Sequence, residues 1–362
     1  MFKQKKYQRD KVMKILVIRL SAMGDVAMTA HVLYSFIDKY PQVKLSVLSK
    51  KSFGSFFSSA KIHFIGIDLK YYEGLKGLYE LFKILKKEKF DLVIDLHDVL
   101  RSNILRFFFR YIGGTKVFVV DKGRKEKRAL TRKKNKILKP LKTTVERYID
   151  VFKTAGFEVN PGADNIYDAG VDIPDKITAI LPDDENQVCI GIAPFAAHQG
   201  KIYPLEKMAE TLDYLSTKGF HLFLFGGGDS EKLQLQEWES KFPNCISVAG
   251  KFSLKEELQL ISRLDLMLSM DSANMHLASL VGTPVVSVWG ATHPYAGFTG
   301  WRQSPENIVQ IDKPCRPCSV YGNKKCYLTD SPYSCMREIR PAMIIEKIMS
   351  VESVMRKESL RL

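Results

Sequence analysis

The first part of the chain alternates short apolar runs with amphipathic segments. KILVIRL (14–20), VKLSVLS (43–49), FDLVIDLH (90–97) and KVFVV (116–120) have the length and β-branched content of buried strands. The segments between them, such as VAMTAHVLYSFIDKY and YEGLKGLYELFKILKKEK, space their apolar residues as amphipathic helices do. Because strands that alternate with helices form parallel sheets, this pattern predicts an α/β domain.

The same alternation returns in the second half. VCIGIAPFA, HLFLFGGG, CISVAG, LDLMLSM and VVSVWG predict strands, and SLKEELQLISRL predicts a helix that begins with a capping box of Ser253 and Glu256. Residues 160–187 are rich in Pro, Gly, Asp and Asn and predict a linker. The expected fold is therefore α/β, with two Rossmann-like α/β/α domains. Its predicted parts are an N-terminal domain at 1–165, a linker at 166–187, a C-terminal domain at 188–345 and a helix or tail at 346–362.

Length and composition are those of an ordinary globular protein. The chain has 362 residues, 45% of them hydrophobic, which is enough for two packed domains. No apolar run approaches the roughly 18 residues of a membrane span. The N-terminal MFKQKKYQRDKVMK lacks the apolar region of a secretory signal. Six cysteines in a chain of this size suit reduced thiols, so we expect a cytoplasmic protein.

The positive charge is concentrated in two segments. Residues 1–14 carry six Lys or Arg against one acid, and residues 122–142 carry eleven against one. Together they account for the whole formal net charge of +15. Two basic segments on a neutral body indicate an anionic partner, which is nucleic acid, an acidic membrane surface or a phosphorylated substrate. Solvated segments kept basic for solubility remain the alternative.

Candidate chemistry lies where predicted strands end. Gly24-Asp25 follows the first strand, without the G-x-G-x-x-G fingerprint or the Walker lysine motif. Lys201, the turn 226–228 and the stretch 271–276 follow strands of the second half. Parallel sheets bind ligands at the carboxyl ends of their strands, and helix N-termini suit phosphate. The second half is therefore the better candidate for a nucleotide site, although Asp271-Ser272 also suits a simple helix cap.

Two motifs carry a family resemblance. LVIRLSAMGDVAMT together with SMDSANMHLASLVGTPVVSVWGATHP resembles the ADP-heptose:lipopolysaccharide heptosyltransferases of glycosyltransferase family 9. KIYPLEKMAETLDYL, FGGGDSE and TTVERYIDVF are similar to the family in order and spacing, so the resemblance covers roughly 14–345. It implies a GT-B fold, with the two domains facing across a cleft, the donor nucleotide on the C-terminal domain and the acceptor on the N-terminal one. It also implies an inverting transfer that needs no metal ion.

The resemblance assigns catalytic roles to three residues. Asp25 matches the general base, Lys201 a lysine that faces the donor phosphates, and His276 a histidine near the pyrophosphate. A positioned carboxylate that takes the acceptor proton contributes roughly 10²–10⁴-fold in rate. Fixed positive potential from Lys201, His276 and helix N–H groups would neutralise the departing diphosphate in place of Mg²⁺.

The expected donor site is larger than these three residues. Tyr203 stands where the family commonly has Trp, and Ala273 where it often has Gly, so the phosphate contact at that position is expected to differ in detail. The predicted donor-binding residues are Gly24, Lys201, Gly226, Gly227, Gly228, Asp271, Ser272, Ala273, Asn274 and His276.

The basic segment at 122–142 is the expected acceptor surface. In the resemblance the acceptor is a lipid-linked anionic saccharide in an anionic bilayer, where each Lys or Arg contributes about 1 kcal/mol. We therefore expect a cytoplasmic enzyme that is peripheral on the inner membrane, with a nucleotide-sugar donor, no further cofactor and no nucleic-acid partner. The predicted acceptor-binding residues are Arg124, Lys125, Lys127, Arg128 and Arg132.

Four cysteines near the C-terminus, at positions Cys315, Cys318, Cys326 and Cys335, have a spacing compatible with zinc. Related family members resemble this pattern, but no catalytic role follows from it. Reduced thiols packed in a loop are the favoured interpretation, so no metal is expected.

Three functions remain open from the sequence. The first is transfer of a heptose from an ADP-heptose-like donor to the lipopolysaccharide inner core. The second is a GT-B glycosyltransferase that uses another nucleotide sugar. The third is a non-catalytic basic protein that binds membrane or nucleic acid, which predicts no role for Asp25.

Overall fold

The computed structural model describes residues 12–162, 172–328 and 330–361, which form two compact units. Unit 1 takes in 12–22, 29–122 and 147–162, and unit 2 takes in 23–28, 123–146, 172–328 and 330–361. The units are therefore not continuous in sequence, because two short segments of the first half pack in unit 2. Most of the N-terminal basic segment, and part of the predicted linker at 166–187, lie outside the described residues.

Unit 1 is built on a five-stranded parallel sheet of order β3-β2-β1-β4-β5. Its strands are β1 (Lys14–Ile18), β2 (Lys44–Lys50), β3 (Ile62–Ile67), β4 (Leu92–Asp95) and β5 (Lys116–Val119). The helices of the first half are α1 (Met23–Lys39), α2 (Gly74–Lys86), α3 (Leu100–Phe107), α4 (Arg124–Thr131) and α5 (Thr144–Thr154). The apolar residues 15–18 of the central strand are fully buried, as both faces of a parallel sheet require.

Unit 2 contains a six-stranded parallel sheet of order β11-β10-β9-β6-β7-β8. Its strands are β6 (Cys189–Ala193), β7 (His221–Leu224), β8 (Cys245–Ser247), β9 (Leu266–Met270), β10 (Val285–Val288) and β11 (Ile308–Val309). The helices of this half are α6 (Asp175–Thr178), α7 (Leu205–Thr217), α8 (Asp229–Lys241), α9 (Leu254–Ile261), α10 (Ala273–Leu280), α11 (Ser334–Arg337), α12 (Pro341–Met349) and α13 (Glu352–Arg361).

Each sheet reverses its strand order beside its first strand. In unit 1 the chain returns from β3 to place β4 on the free side of β1, and in unit 2 it returns from β8 to place β9 on the free side of β6. At such a switch point the loops after the two neighbouring strands diverge, which leaves a crevice at their carboxyl ends. Each unit therefore has one preferred position for a ligand.

The predicted α/β class is confirmed, and every predicted strand is present. The sequence pattern missed β3 and β11. Strand β3 is an edge strand whose middle residues are partly exposed, so it lacks a continuous apolar run, and β11 is only two residues long. The basic segment contains the unpredicted helix α4, and the single helix expected near the C-terminus is divided into α12 and α13.

A buried arginine holds together the loops that follow β10 and β11. Arg316 is 3% exposed, and its guanidinium donates to the backbone oxygens of Gly290, Thr292 and Ile311 and to the side chain of Gln310. A rigid fork of donors suits this task, because each buried carbonyl oxygen left without a partner costs about 1–3 kcal/mol.

No helix among the described residues is both long enough and apolar enough to span a bilayer.

Candidate functional site

An ion pair occupies the switch point of unit 2. Lys201 ends a short 3₁₀ turn (Gln199–Lys201) after β6, and Asp271 directly follows β9. Because β6 and β9 are neighbours, the two side chains meet, with 2.9 Å between Lys201 Nζ and Asp271 Oδ2. Their side chains are only 16% and 4% exposed. Losing either partner would leave a charge buried without compensation, which is strongly destabilising.

Two glycines fix the turn that carries Lys201. The Gly200 carbonyl accepts a hydrogen bond of 2.9 Å from Ala291 N, and a Cβ on Gly200 would lie 2.8 Å from the Ala291 Cβ. Gly322, at φ +79°, covers the lysine stem so closely that a Cβ there would lie 2.7 Å from Lys201 Cγ. Both close approaches require glycine, and together they hold the ammonium group at the ion pair.

Ser272 occupies the N-cap position of α10, but its side chain does not cap the helix. Its hydroxyl lies 3.2 Å from Ser269 Oγ instead. The expectation that Ser272 caps α10 with its side chain is therefore wrong. The N–H groups of the first turn, at Ala273 and Asn274, are thus not satisfied by Ser272, and the positive end of the helix dipole suits an anion there.

His276 lies one turn further along α10 and packs against Gly24 in the first turn of helix α1. A Cβ on Gly24 would lie 2.6 Å from His276 Cδ2, so only glycine fits at this position. His276 is 7% exposed, and its Nδ1 is buried without a hydrogen-bond partner among the residues that the structure describes. Burial lowers the pKa of His276, although the nearby charges of Asp25 and Asp271 act to raise it. The imidazole is therefore neutral near pH 7.

The glycine turn at 226–228 follows β7, the strand beside β6. A Cβ on Gly226 would lie 2.9 Å from Leu235 Cδ1, so packing explains this glycine. A Cβ on Gly227 or Gly228 would meet nothing within 4 Å. Glu231 accepts a hydrogen bond of 2.8 Å from Gly227 N and steadies the turn. The last two glycines border open space, which a ligand can approach closely.

The structure thus brings together the first turn of α1, with Gly24 and Asp25, and the side chains of Lys201, Asp271 and His276. An acid, a cation, a neutral imidazole and a helix N-terminus converge at one switch point. This set can bind a diphosphate and can accept a proton beside it. It does not include Tyr203, which is fully buried in the core and donates its hydroxyl to the Ile339 carbonyl at 3.0 Å.

The predicted acceptor-binding residues lie on α4 and just after it. Lys127 is buried, with its ammonium 4.1 Å from the centre of the Phe298 ring. Arg124, Lys125 and Arg128 are exposed, and the Arg132 guanidinium donates to the Asn135 carbonyl at 2.6 Å. Their role in acceptor binding stays a prediction.

The four C-terminal cysteines are free thiols in one neighbourhood. Burial, with the charges of Cys315 and Cys326, raises the pKa of Cys318. Burial raises the pKa of Cys335 to about 11. Across residues 12–162, 172–328 and 330–361, no three His, Cys, Asp or Glu side chains are arranged to hold a metal ion.

Sequence reasoning missed several supporting residues. Gly322, Ala291 and Arg316 act only through contacts between loops that are distant in sequence, so no local pattern marks them. Lys324 and Lys325 form a basic pair in the sequence CRPCSVYGNKKC. They were missed because the cysteine spacing was the only feature of this segment that indicated a function.

Comparison with known proteins supports the family resemblance. The model of glycosyltransferase family 9 (heptosyltransferase) matches residues 78–327. The lipopolysaccharide core heptosyltransferase OpsX of Haemophilus influenzae is 26% identical over 303 residues, covering 82% of this chain and 84% of that protein.

Two solved structures share the fold. The glycosyl transferase family 9 protein from Veillonella parvula has a TM-score of 0.72 at 18% identity, covering 95% of this chain and 98% of that one. The ADP-heptose lps heptosyltransferase II of E. coli has a TM-score of 0.66 at 17% identity, covering 96% and 100%. The two parallel-sheet domains therefore form the GT-B fold that the resemblance implied.

The contact between Gly24 and His276 predicts a background-dependent effect on stability. Gly24→Ala should lower the free energy of unfolding by about 1–3 kcal/mol, because its methyl group meets the imidazole. In a His276→Ala background it should be neutral or stabilising, since Ala is preferred to Gly in a helix by about 0.5–1 kcal/mol. Urea unfolding of the wild type, the two single variants and the double variant measures this thermodynamic cycle. Gly227→Ala, with open space around its Cβ, is the control. Equal destabilisation in both backgrounds would contradict the contact.

Proposed function

Since the chain belongs to glycosyltransferase family 9 and is a glycosyltransferase, we propose that it transfers a heptose from an ADP-heptose-like donor to the lipopolysaccharide inner core. The observation that carries this proposal is the buried cluster of Lys201, Asp271 and His276 beside Asp25. Support for the donor and acceptor comes from the relatives, whose names specify ADP-heptose and the lipopolysaccharide core.

In the proposed mechanism the donor diphosphate lies at the N-terminus of α10. Lys201, oriented by Asp271, supplies fixed positive charge toward it. The first-turn N–H groups of α10 and the neutral imidazole of His276 supply hydrogen bonds. Groups held in place before the reaction stabilise the growing charge of the leaving group without reorganisation, so this mechanism uses no metal ion.

Asp25 is the proposed general base. The acceptor hydroxyl oxygen attacks the anomeric carbon as the bond to the diphosphate breaks, and its proton passes to the Asp25 carboxylate. Attack from the face opposite the leaving group inverts the anomeric configuration. The charge of Asp25 acts on His276, and the neighbouring Gly24 packs against the imidazole, which supports this role for the carboxylate beside the proposed phosphate site.

The acceptor is proposed to interact with the basic residues of α4 and the segment after it. The exposed cations Arg124, Lys125 and Arg128 suit an anionic saccharide, and the same surface suits an acidic bilayer. We propose a cytoplasmic enzyme that associates peripherally with the inner leaflet while it acts on a lipid-linked acceptor.

The proposed function predicts selective recognition of ADP-heptose. In thermal shift assays with ADP-, UDP- and GDP-linked sugars, ADP-heptose should give the largest rise in melting temperature, because ligands that bind only the folded state stabilise it. With a core acceptor that lacks heptose, transfer from ADP-heptose should give a product of inverted anomeric configuration, which NMR of the product measures. A larger shift and transfer with another nucleotide sugar would favour the second candidate, a different GT-B glycosyltransferase.

A second prediction concerns the proposed base. Asp25→Asn should lower kcat by roughly 10²–10⁴-fold, because the amide cannot accept the proton. The dissociation constant of ADP should stay within about twofold of the wild type. Asp213→Asn, which changes an exposed acid on α7, should leave both quantities unaltered. Near-normal turnover of Asp25→Asn would remove this residue as the base.

A third prediction concerns Lys201 and metal ions. Lys201→Met should weaken ADP binding by at least about tenfold, equivalent to 1.4 kcal/mol. This change also leaves the buried Asp271 carboxylate without its ion-pair partner. The double variant Lys201→Met/Asp271→Asn should therefore recover stability but not ADP affinity. EDTA should leave wild-type turnover intact. Strict dependence on Mg²⁺, or full ADP affinity in the double variant, would count against fixed cations as the phosphate ligands.

A further inference from the structure

A small basic cavity lies in unit 2, lined by residues outside the proposed catalytic cluster. It measures about 230 Å³ and is bordered by the segment 131–136 and by the loop that contains Cys315 and Cys318. Five of its lining residues are cations, and its lining contains no Asp or Glu. The five are Arg132, Lys133, Lys136, Lys324 and Lys325.

The cavity is held in shape by contacts between two segments that are distant in sequence. The Lys136 ammonium donates to the backbone carbonyls of Pro314 and Cys315, 178 and 179 residues away. The Lys133 ammonium lies 4.7 Å from the centre of the Tyr327 ring. Burial lowers the pKa of Lys136, which reflects its enclosed position. These contacts order one wall of the cavity while the exposed Lys324 and Lys325 form the other.

Like charges gathered around one small cavity repel each other unless an anion lies between them. An anion with several acceptor oxygens fits best, because lysine and arginine then bind it through charge-assisted hydrogen bonds. The volume is below the roughly 300–1,000 Å³ of sites that enclose a whole small-molecule ligand. It suits a single phosphate group, with the remainder of the ligand outside.

We infer that this cavity binds a phosphate monoester carried by the saccharide acceptor. The identity of the ligand rests on the proposed function, whereas binding of phosphate itself does not. The cavity would anchor the acceptor at a point away from the reacting hydroxyl, and so would lower the acceptor KM without contributing to kcat. Lys324 and Lys325 are positioned for this task by the loop that also brings Gly322 onto Lys201.

The direct test is a calorimetric titration of the purified full chain with inorganic phosphate, at low ionic strength and with saturating ADP. ADP occupies the proposed donor site, so the remaining phosphate binding reports on the cavity. The variant Lys324→Gln/Lys325→Gln should bind phosphate at least tenfold more weakly than the wild type. Lys136 is left unchanged, because its contacts with the opposite loop are structural.

A matched control removes the same charge elsewhere in unit 2. Lys218→Gln/Lys255→Gln changes two exposed lysines outside the cavity and should bind phosphate as the wild type does. If the wild type binds no phosphate, or if both double variants lose affinity equally, the cavity is not a phosphate site.

Transfer kinetics identify the source of the phosphate. With a detergent-solubilised acceptor, Lys324→Gln/Lys325→Gln should raise KM at least fivefold at unchanged kcat, and treatment of the acceptor with phosphatase should abolish the difference from the wild type. If KM is unchanged while co-sedimentation with phosphatidylglycerol vesicles falls, the ligand is a lipid headgroup and the inference is overturned. A wild type that binds phosphate but transfers no heptose would refute the proposed function and leave the phosphate site standing.

Discussion

The buried ion pair between Lys201 and Asp271 is the interaction on which the arrangement of unit 2 depends. It joins the ends of β6 and β9, the two strands at which the sheet reverses its order. A buried charge is stable only beside its partner. The loops that contact the pair must therefore hold the lysine ammonium and the aspartate carboxylate close together. The close packing of Gly200 and Gly322 on the lysine turn follows from that requirement.

The same requirement explains why glycines mark the site without forming a dinucleotide motif. Gly24, Gly200 and Gly322 each admit a neighbouring side chain or backbone where a methyl group would collide. Their function is to let separate loops approach a small set of polar groups, whereas the glycines of a Rossmann fingerprint let a cofactor approach the backbone. This distinction is consistent with a site in which the lysine and the helix terminus, rather than a glycine-rich loop, present the positive charge, beside a neutral histidine.

Much of the fold could be predicted from the sequence because strands buried on both faces of a parallel sheet are continuous apolar runs. Strands β1 and β6 are examples, since nearly all of their residues are buried. The edge strand β3 was missed because its middle residues are partly exposed and His63 and Gly66 interrupt its apolar run. The residues of the proposed catalytic cluster follow the ends of strands, where the topology of a parallel sheet brings polar residues together. The basic cavity could not be found in this way, since Lys136 and Cys315 are 179 residues apart and only the folded loops bring them together.

The positive charge of this chain therefore has two different physical settings. At the switch point, Lys201 is buried and paired with Asp271, and burial lowers the pKa of His276, so the imidazole is uncharged and the charge of the lysine is balanced. Around α4 and in the 230 Å³ cavity, the cations outnumber the acids and are largely exposed. A balanced site can stabilise charge that develops during a reaction, because its groups are already oriented. An unbalanced surface instead attracts ligands that are already anionic, and its strength falls as salt screens it. In the proposed function, the buried cation therefore serves the transfer reaction, and the exposed cations attract the anionic acceptor.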